Sequence, residues 1–319
     1  MKQTNYELVG ASLAAWSKQI EQAWHGIHSI ELLPKLALCN QVVICGMGGS
    51  ALGAEVVVKA MSPKTTLPIY FCRQSFLPNW VNKKTLIVLV SYSGTTAEVL
   101  TCANEAKRKN LLVVVITKGG DLAKLANKNK WPMYQFVAQF NPAGEPRFGL
   151  GYMGGSIMAL GQRLAWWQIT EAEKKEVAQV LAKPAKDIAP SFKELLIISE
   201  EWLSGAAHAV CNQVNETAKI MSWSAILSEL NHHLLEGASG GQVKSNYQVA
   251  MAESKLVPTD LQKRTRLTKQ VFQKQGYRVI SKKLVSRSLL AQAWELAAWG
   301  GYLSLAAAKK NKQNPLLIE

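Results

Sequence analysis

Gln41-Val42-Val43-Ile44-Cys45-Gly46-Met47-Gly48-Gly49-Ser50 runs from a short apolar strand straight into a glycine turn, after which Ala51, Leu52, Ala54 and Val57 recur at helical spacing. This is a strand, glycine turn, helix unit. Outward from it, strands are expected at Pro68 to Cys72, Leu86 to Val90, Leu111 to Ile116 and Met133 to Val137, separated by helix-length stretches such as Thr96 to Lys109. Alternation of this kind predicts an α/β fold, a mostly parallel sheet flanked by helices.

Asn141-Pro142-Ala143-Gly144-Glu145-Pro146 is the strongest breaker cluster and is expected to close a first lobe, with a linking helix from Met153 to Gln168. A second alternation follows, with strands at Leu195 to Ile198, Tyr247 to Ala252 and Tyr277 to Ser281. Helices are expected at Glu201 to Val214, Pro258 to Gln275 and Val285 to Lys310. The reading divides the chain into domains 1–152 and 153–319, possible copies of one fold at domain scale.

With 48% hydrophobic and 18% charged residues the chain can build real cores, so a disordered protein is excluded. The formal charge of +15 favours anionic partners. Its lysines lie in dispersed groups such as Lys107-Arg108-Lys109, without a nucleic-acid motif, and nucleic acid is not an expected partner. Cys39, Cys45, Cys72, Cys102 and Cys211 are odd in number and scattered singly, with no C-x-x-C pair. Neither a disulfide framework nor a thiolate zinc site is therefore expected, and a reducing cytoplasm fits best. Met1 to Glu7 lacks the apolar core of a signal peptide. Ala291 to Ala308 has nearly the length of a membrane span, but Glu295 and Gly300-Gly301 mark it as a buried helix, and no membrane is an expected partner.

Two turns carry the chemistry. Gly46 to Ser50 departs from the dinucleotide pattern G-x-G-x-x-G at Ala51, and no Walker sequence is present, leaving a glycine turn that reads equally as a site for an anion or polar ligand at backbone amides or as plain close packing of strand against helix. The second, Ser91-Tyr92-Ser93-Gly94-Thr95-Thr96, places four hydroxyls around a glycine between a strand and a helix. An ordinary helix cap needs one such hydroxyl. Four of them beside helix amides suit a phosphate monoester.

Gly-Met-Gly-Gly-Ser at 46–50 and Ser-Tyr-Ser-Gly-x-Thr at 91–96 are followed in order by Pro146-Arg147-Phe148-Gly149, Asn215-Glu216-Thr217-Ala218-Lys219, Glu229-Leu230-Asn231-His232, Gly301-Tyr302-Leu303-Ser304 and Asn314-Pro315. This series resembles the bifunctional phosphoglucose/phosphomannose isomerase family of SIS (sugar isomerase) domain proteins. The resemblance implies two SIS domains, each a three-layer αβα sandwich, and aldose-ketose isomerisation of hexose 6-phosphates by a homodimer without metal or organic cofactor. It also implies that Gly48, Gly49, Ser50, Ser91, Ser93 and Thr96 bind the sugar phosphate.

In the family pattern Glu216 is the base that carries a proton between C1 and C2, and His232 the acid/base that opens the sugar ring. Arg147 is the cation that stabilises the enediolate. From the residues alone, Glu216 also reads as a surface partner of Lys219 at i+3, and Arg147 as a domain-closing salt bridge. Thr95 replaces the family's usual Asn, and His233-Leu234-Leu235 and Ala306 depart from it further. A phosphosugar-sensing module without catalysis, or an isomerase of another phosphosugar, would share the same phosphate turn.

Overall fold

The computed structural model describes residues 3–183, 192–239 and 247–317. Two helices open the chain, α1 (Asn5–Ala14) and α2 (Trp16–Ser29), and strand β1 (Gln41–Cys45) leads into α3 (Gly48–Met61). Then come β2 (Ile69–Cys72), β3 (Thr85–Ser91), α4 (Ala97–Arg108), β4 (Leu112–Thr117), α5 (Gly120–Lys128), β5 (Met133–Gln135) and α6 (Leu150–Arg163). Their sheet has the order β2-β1-β3-β4-β5, and every pairing is parallel. All seven residues of β3 are buried, as a strand covered by helices on both faces requires.

The order matters for function. From β1 the chain crosses to β2 on one side and then to β3 on the other, so the β1 and β3 ends flank the point where the winding reverses. In open parallel sheets that crevice, at the carboxyl ends of the strands, is where ligands bind.

The later part begins with α7 (Glu171–Leu181) and β6 (Glu194–Ser199), followed by α8 (Ser204–Ala218), β7 (Met221–Ile226), α9 (Leu227–Leu230) and α10 (Leu234–Ser239). It ends with β8 (Tyr247–Glu253), α11 (Thr259–Lys274), β9 (Arg278–Lys283) and α12 (Leu289–Lys310). Its sheet, β7-β6-β8-β9, is again all parallel and repeats the winding of the first four strands of the other sheet. The expectation of one fold used twice is met at the level of strand order.

One strand escaped the sequence reading. β7 is an edge strand, Met221-Ser222-Trp223-Ser224-Ala225-Ile226, with only Ser222 buried and Met221 exposed, so it lacks the continuous apolar run that marks the central strands. The helix expected from Val285 begins later, at Leu289, capped by Ser288, whose Oγ accepts the Ala291 amide at 3.2 Å. α12 is buried along most of its length, and its Glu295 is neutralised by Lys282 at 2.8 Å. Among the described residues no helix is long and apolar enough to cross a membrane.

The contacts divide the chain into one unit of residues 15–170 and another of 1–14 with 171–319. This differs from the boundary placed at 152/153. The segment read as a linker is α6, which packs on α2 and α3 inside the first unit. Conversely α1, expected in the N-terminal domain, packs on α12 in the other unit.

Candidate functional site

At the carboxyl end of β1 the chain turns through Gly48, whose φ of +47° lies in the left-handed region that glycine adopts without strain. Gly49 follows at the start of α3, and there a Cβ would lie 2.7 Å from the backbone nitrogen of Arg147. Only glycine lets the Pro146-Arg147 backbone press against this helix start. Met47, the residue before α3, makes no side-chain cap hydrogen bond to it.

At the end of β3 the hydroxyls are organised by one another. Ser91 Oγ accepts the Gly94 amide at 3.0 Å and lies 2.8 Å from Thr96 Oγ1. Ser93 Oγ accepts the Thr95 amide at 3.2 Å and the Thr95 hydroxyl at 2.9 Å. Thr96 occupies the cap position of α4, yet its side chain makes no cap hydrogen bond. The competing explanation of this turn as an ordinary helix cap therefore fails: the hydroxyl that should cap α4 is turned to Ser91 instead. Gly94, at φ +75°, closes the turn, and a Cβ there would lie 1.8 Å from the carbonyl oxygen of Gly119.

The two turns are joined. Ser50, 6% exposed, accepts the Tyr92 amide on its Oγ at 2.9 Å, which leaves its own hydroxyl proton to donate elsewhere. The switch point is thus bordered by two helix N-termini without side-chain caps, both carrying the positive end of a helix dipole, and by hydroxyls prearranged as donors. An anion is the ligand such a place favours.

Arg147 sits in the 3-10 turn Pro146–Phe148, 1% exposed, with its Nη1 3.2 Å from Glu145 Oε2 and its guanidinium over the Phe148 ring at 5.0 Å. A buried, always-charged guanidinium beside α3 adds fixed positive charge to this unit. The seven expected residues Gly48, Gly49, Ser50, Ser91, Ser93, Thr96 and Arg147 all belong to the unit of residues 15–170.

Three further residues support this set and were not singled out from the sequence. Tyr92 is 2% exposed, its hydroxyl accepts from Asn141 Nδ2 at 2.8 Å, and burial pushes its phenol pKa up. Asn141 Nδ2 also donates to the Glu145 carbonyl at 2.9 Å, so a single side chain ties the β3 turn to the Arg147 segment. Lys118, exposed just beyond β4, places its Nζ 5.4 Å from the centre of the Tyr92 ring. Only the position of Lys118, two residues after the strand expected to end at Ile116 in a chain alternating this way, hints at it in the sequence.

Glu216 and His232 belong to the other unit. Glu216 is half-buried in the last turn of α8. Lys219 does not read as its simple surface partner: the ammonium donates to the backbone carbonyls of Glu216, at 2.9 Å, and Leu317. The neighbouring Asn215 is held by both ends of its amide to the Ser222 backbone, at 2.9 and 2.7 Å, which pins this helix end to β7. His232 is exposed in the turn between α9 and α10, its amide donating to the Glu229 carbonyl at 3.0 Å, while His233 Nε2 lies 3.7 Å from Glu229 Oε1.

Residues 181–319 match the family model described as the bacterial phospho-glucose isomerase C-terminal SIS domain, and residues 35–130 match the SIS domain model. The chain is 26% identical to the bifunctional phosphoglucose/phosphomannose isomerase of Caldicellulosiruptor bescii, over 95% of this chain and 93% of that protein. It is 27% identical to a D-glucosamine-6-phosphate 4-epimerase of Sulfolobus acidocaldarius, over 70% of this chain and 72% of that one. Among solved structures, tagatose-6-phosphate ketose/aldose isomerase from Escherichia coli superposes with a TM-score of 0.72 at 15% identity, covering 97% of this chain and 93% of that one. At that identity the superposition speaks for the fold.

Proposed function

Because the chain belongs to the bifunctional phosphoglucose/phosphomannose isomerase family of SIS-domain proteins, we propose that it interconverts glucose 6-phosphate or mannose 6-phosphate with fructose 6-phosphate. The observation that carries the substrate class is the switch point between β1 and β3. There the hydroxyls of Ser50, Ser91, Ser93 and Thr96 border two helix starts without side-chain caps, an arrangement fitted to a phosphate monoester.

Such an isomerisation opens the pyranose ring, removes the proton from C2, returns it to C1, and passes through an enediolate. We assign ring opening to His232 and the C2-to-C1 proton transfer to Glu216, whose carboxylate is the base in the series of motifs that the chain shares with its family. Arg147 supplies fixed positive charge for the enediolate oxygens, a task for which a cation that never loses its proton is suited. In this reading the unit of residues 15–170 contributes phosphosugar binding, and the unit of residues 1–14 with 171–319 the proton-transfer groups. The working form is taken to be a homodimer in a reducing cytoplasm, in keeping with five unpaired cysteines.

The test is a coupled assay of the purified protein on glucose 6-phosphate and mannose 6-phosphate separately, with glucosamine 6-phosphate as a third arm. Activity on either hexose phosphate, lost by at least a hundredfold in Glu216→Gln without loss of phosphosugar binding, is the expected result. Turnover of glucosamine 6-phosphate alone would move the chain to amino-sugar chemistry, which the epimerase relative makes the natural second reading. Full activity in Glu216→Gln would remove the proposed base. Gel filtration with light scattering checks the homodimer.

A further inference from the structure

Cys45, Cys72 and Cys102 are far apart in sequence, and the absence of any C-x-x-C spacing argued against a thiolate zinc site. The fold brings them together: their three Sγ atoms all lie within 4.8 Å of one another. Cys45 and Cys72 are the last residues of adjacent parallel strands, β1 and β2, and face each other in register, while Cys102 comes from α4 packed over the sheet. All are buried, at 1%, 3% and 0% exposure. No carboxylate or imidazole is part of this ligand set.

A buried cysteine packed singly needs no more explanation than a small apolar residue. Three converging sulfurs are different, because soft ligand atoms from three separate elements meet at one point inside the apolar core. Two of their protons rest on one short segment: Cys72 Sγ donates to the Phe76 carbonyl at 3.2 Å, and Cys102 Sγ to the Gln74 carbonyl at 3.3 Å. The side chains of Arg73, Gln74, Ser75 and Phe76 are all exposed, so the cover over the sulfurs is a surface strap.

We propose that Cys45, Cys72 and Cys102 form a binding site for one soft monovalent cation, Cu(I), held by three sulfurs. A metal roughly 2.3 Å from three sulfurs in a plane holds them roughly 4 Å apart, so the three side chains close on it by less than about 1 Å. Thiolates select soft d10 ions over magnesium or calcium. Between the soft candidates, Zn(II) calls for a fourth ligand, for which the nearest groups here are backbone carbonyls, whereas a trigonal set suits Cu(I). On binding, the ligating thiols release their protons to solvent, and the freed Gln74 and Phe76 carbonyls turn to water. No electron is transferred.

The site continues directly into Gly46, since Cys45 is the residue before the phosphate turn. An ion there ties the ends of β1 and β2 to the middle of α4 at the edge of the switch point. The experiment is an anaerobic titration of the reduced, full-length protein with Cu(I) against a competing chelator, with X-ray absorption of the loaded protein. One Cu(I) per chain and three sulfurs at about 2.3 Å are expected. Cys72→Ala and Cys102→Ala should each weaken binding at least tenfold, while Cys211→Ala, in the other unit, leaves it unchanged.

Unchanged affinity in both cluster variants would overturn the proposal, as would a coordination shell with fewer than three sulfurs or preferential uptake of Zn(II). The absorption experiment on the wild-type protein decides the ligand count even if a variant folds poorly.

Discussion

Ser50→Ala removes a side-chain oxygen that ties the turn after β1 to the turn after β3. The Tyr92 amide donates to Ser50 Oγ at 2.9 Å, and the two residues are 6% and 2% exposed, so water does not readily replace the lost acceptor. A buried amide left without a partner costs about 1–3 kcal/mol, which corresponds to roughly a 5- to 150-fold shift toward the open state of this turn. Hydrogen exchange read by mass spectrometry on the peptide carrying Tyr92 measures that shift directly, and the coupled assay measures the accompanying rise in KM. Ser93→Ala is the control. Ser93 is exposed, and solvent can take over its bonds to Thr95, so stability should change by less than about 0.5 kcal/mol while KM for the phosphosugar still rises. If Ser50→Ala leaves both the protection of Tyr92 and KM at wild-type values, the reasoning that joins the two turns is wrong. If Ser93→Ala leaves KM unchanged, the hydroxyls there do not meet the phosphate.

Gly94→Ala combines a left-handed φ with a clash against the Gly119 backbone, and it should destabilise the protein by more than about 2 kcal/mol in denaturant melts. Lys118→Met should raise KM for the phosphosugar and flatten its salt dependence, with little change in melting temperature, since Lys118 is exposed. Glu200, 3% exposed and held by the Thr265 hydroxyl at 3.1 Å, has its carboxyl pKa raised by burial. The folded protein therefore keeps this proton to higher pH than the unfolded chain does, and the group lowers stability as pH rises from the unfolded pKa through the folded one. Glu200→Gln should accordingly gain stability relative to wild type as pH is raised, measured as a melting-temperature difference between pH 4 and pH 7.5. A difference that shrinks with pH would reverse the sign of this argument.

The central strands were legible because burial on both faces demands continuous apolar runs, and Val42-Val43-Ile44 or Leu86 to Val90 can hardly be read otherwise. β7 was not, since an edge strand is freed from that demand. The two turns after β1 and β3 were legible because glycine and clustered hydroxyls leave a local signature. Their support was hidden for the opposite reason: Asn141 meets the Tyr92 hydroxyl across 49 residues of sequence, and nothing near either residue announces the partner. The cysteine cluster shows the same limit more sharply. The rule that thiolate ligands come in close pairs holds for loops that wrap a metal, whereas register between β1 and β2 aligns Cys45 with Cys72 without any local motif.

Strand order alone does not make an anion site, because the same winding occurs twice among the described residues with different groups at the strand ends. Where β1 runs into Gly46-Met47-Gly48-Gly49-Ser50, the corresponding strand β6 runs into Glu200, a buried carboxylate. Where β3 ends in Ser91 and its hydroxyl turn, β8 ends in Glu253, paired with Lys269 at 3.0 Å. Carboxylates at both strand ends repel a phosphate dianion, and burial makes the Glu200 charge costly in its own right. The helix after β6 also begins only after the 3-10 turn Glu201–Leu203, which sets its first amides back from the strand end. On the proposed function, the second sheet has no phosphate to hold, and its segments at Glu216 and His232 carry the proton-transfer chemistry on the same architecture.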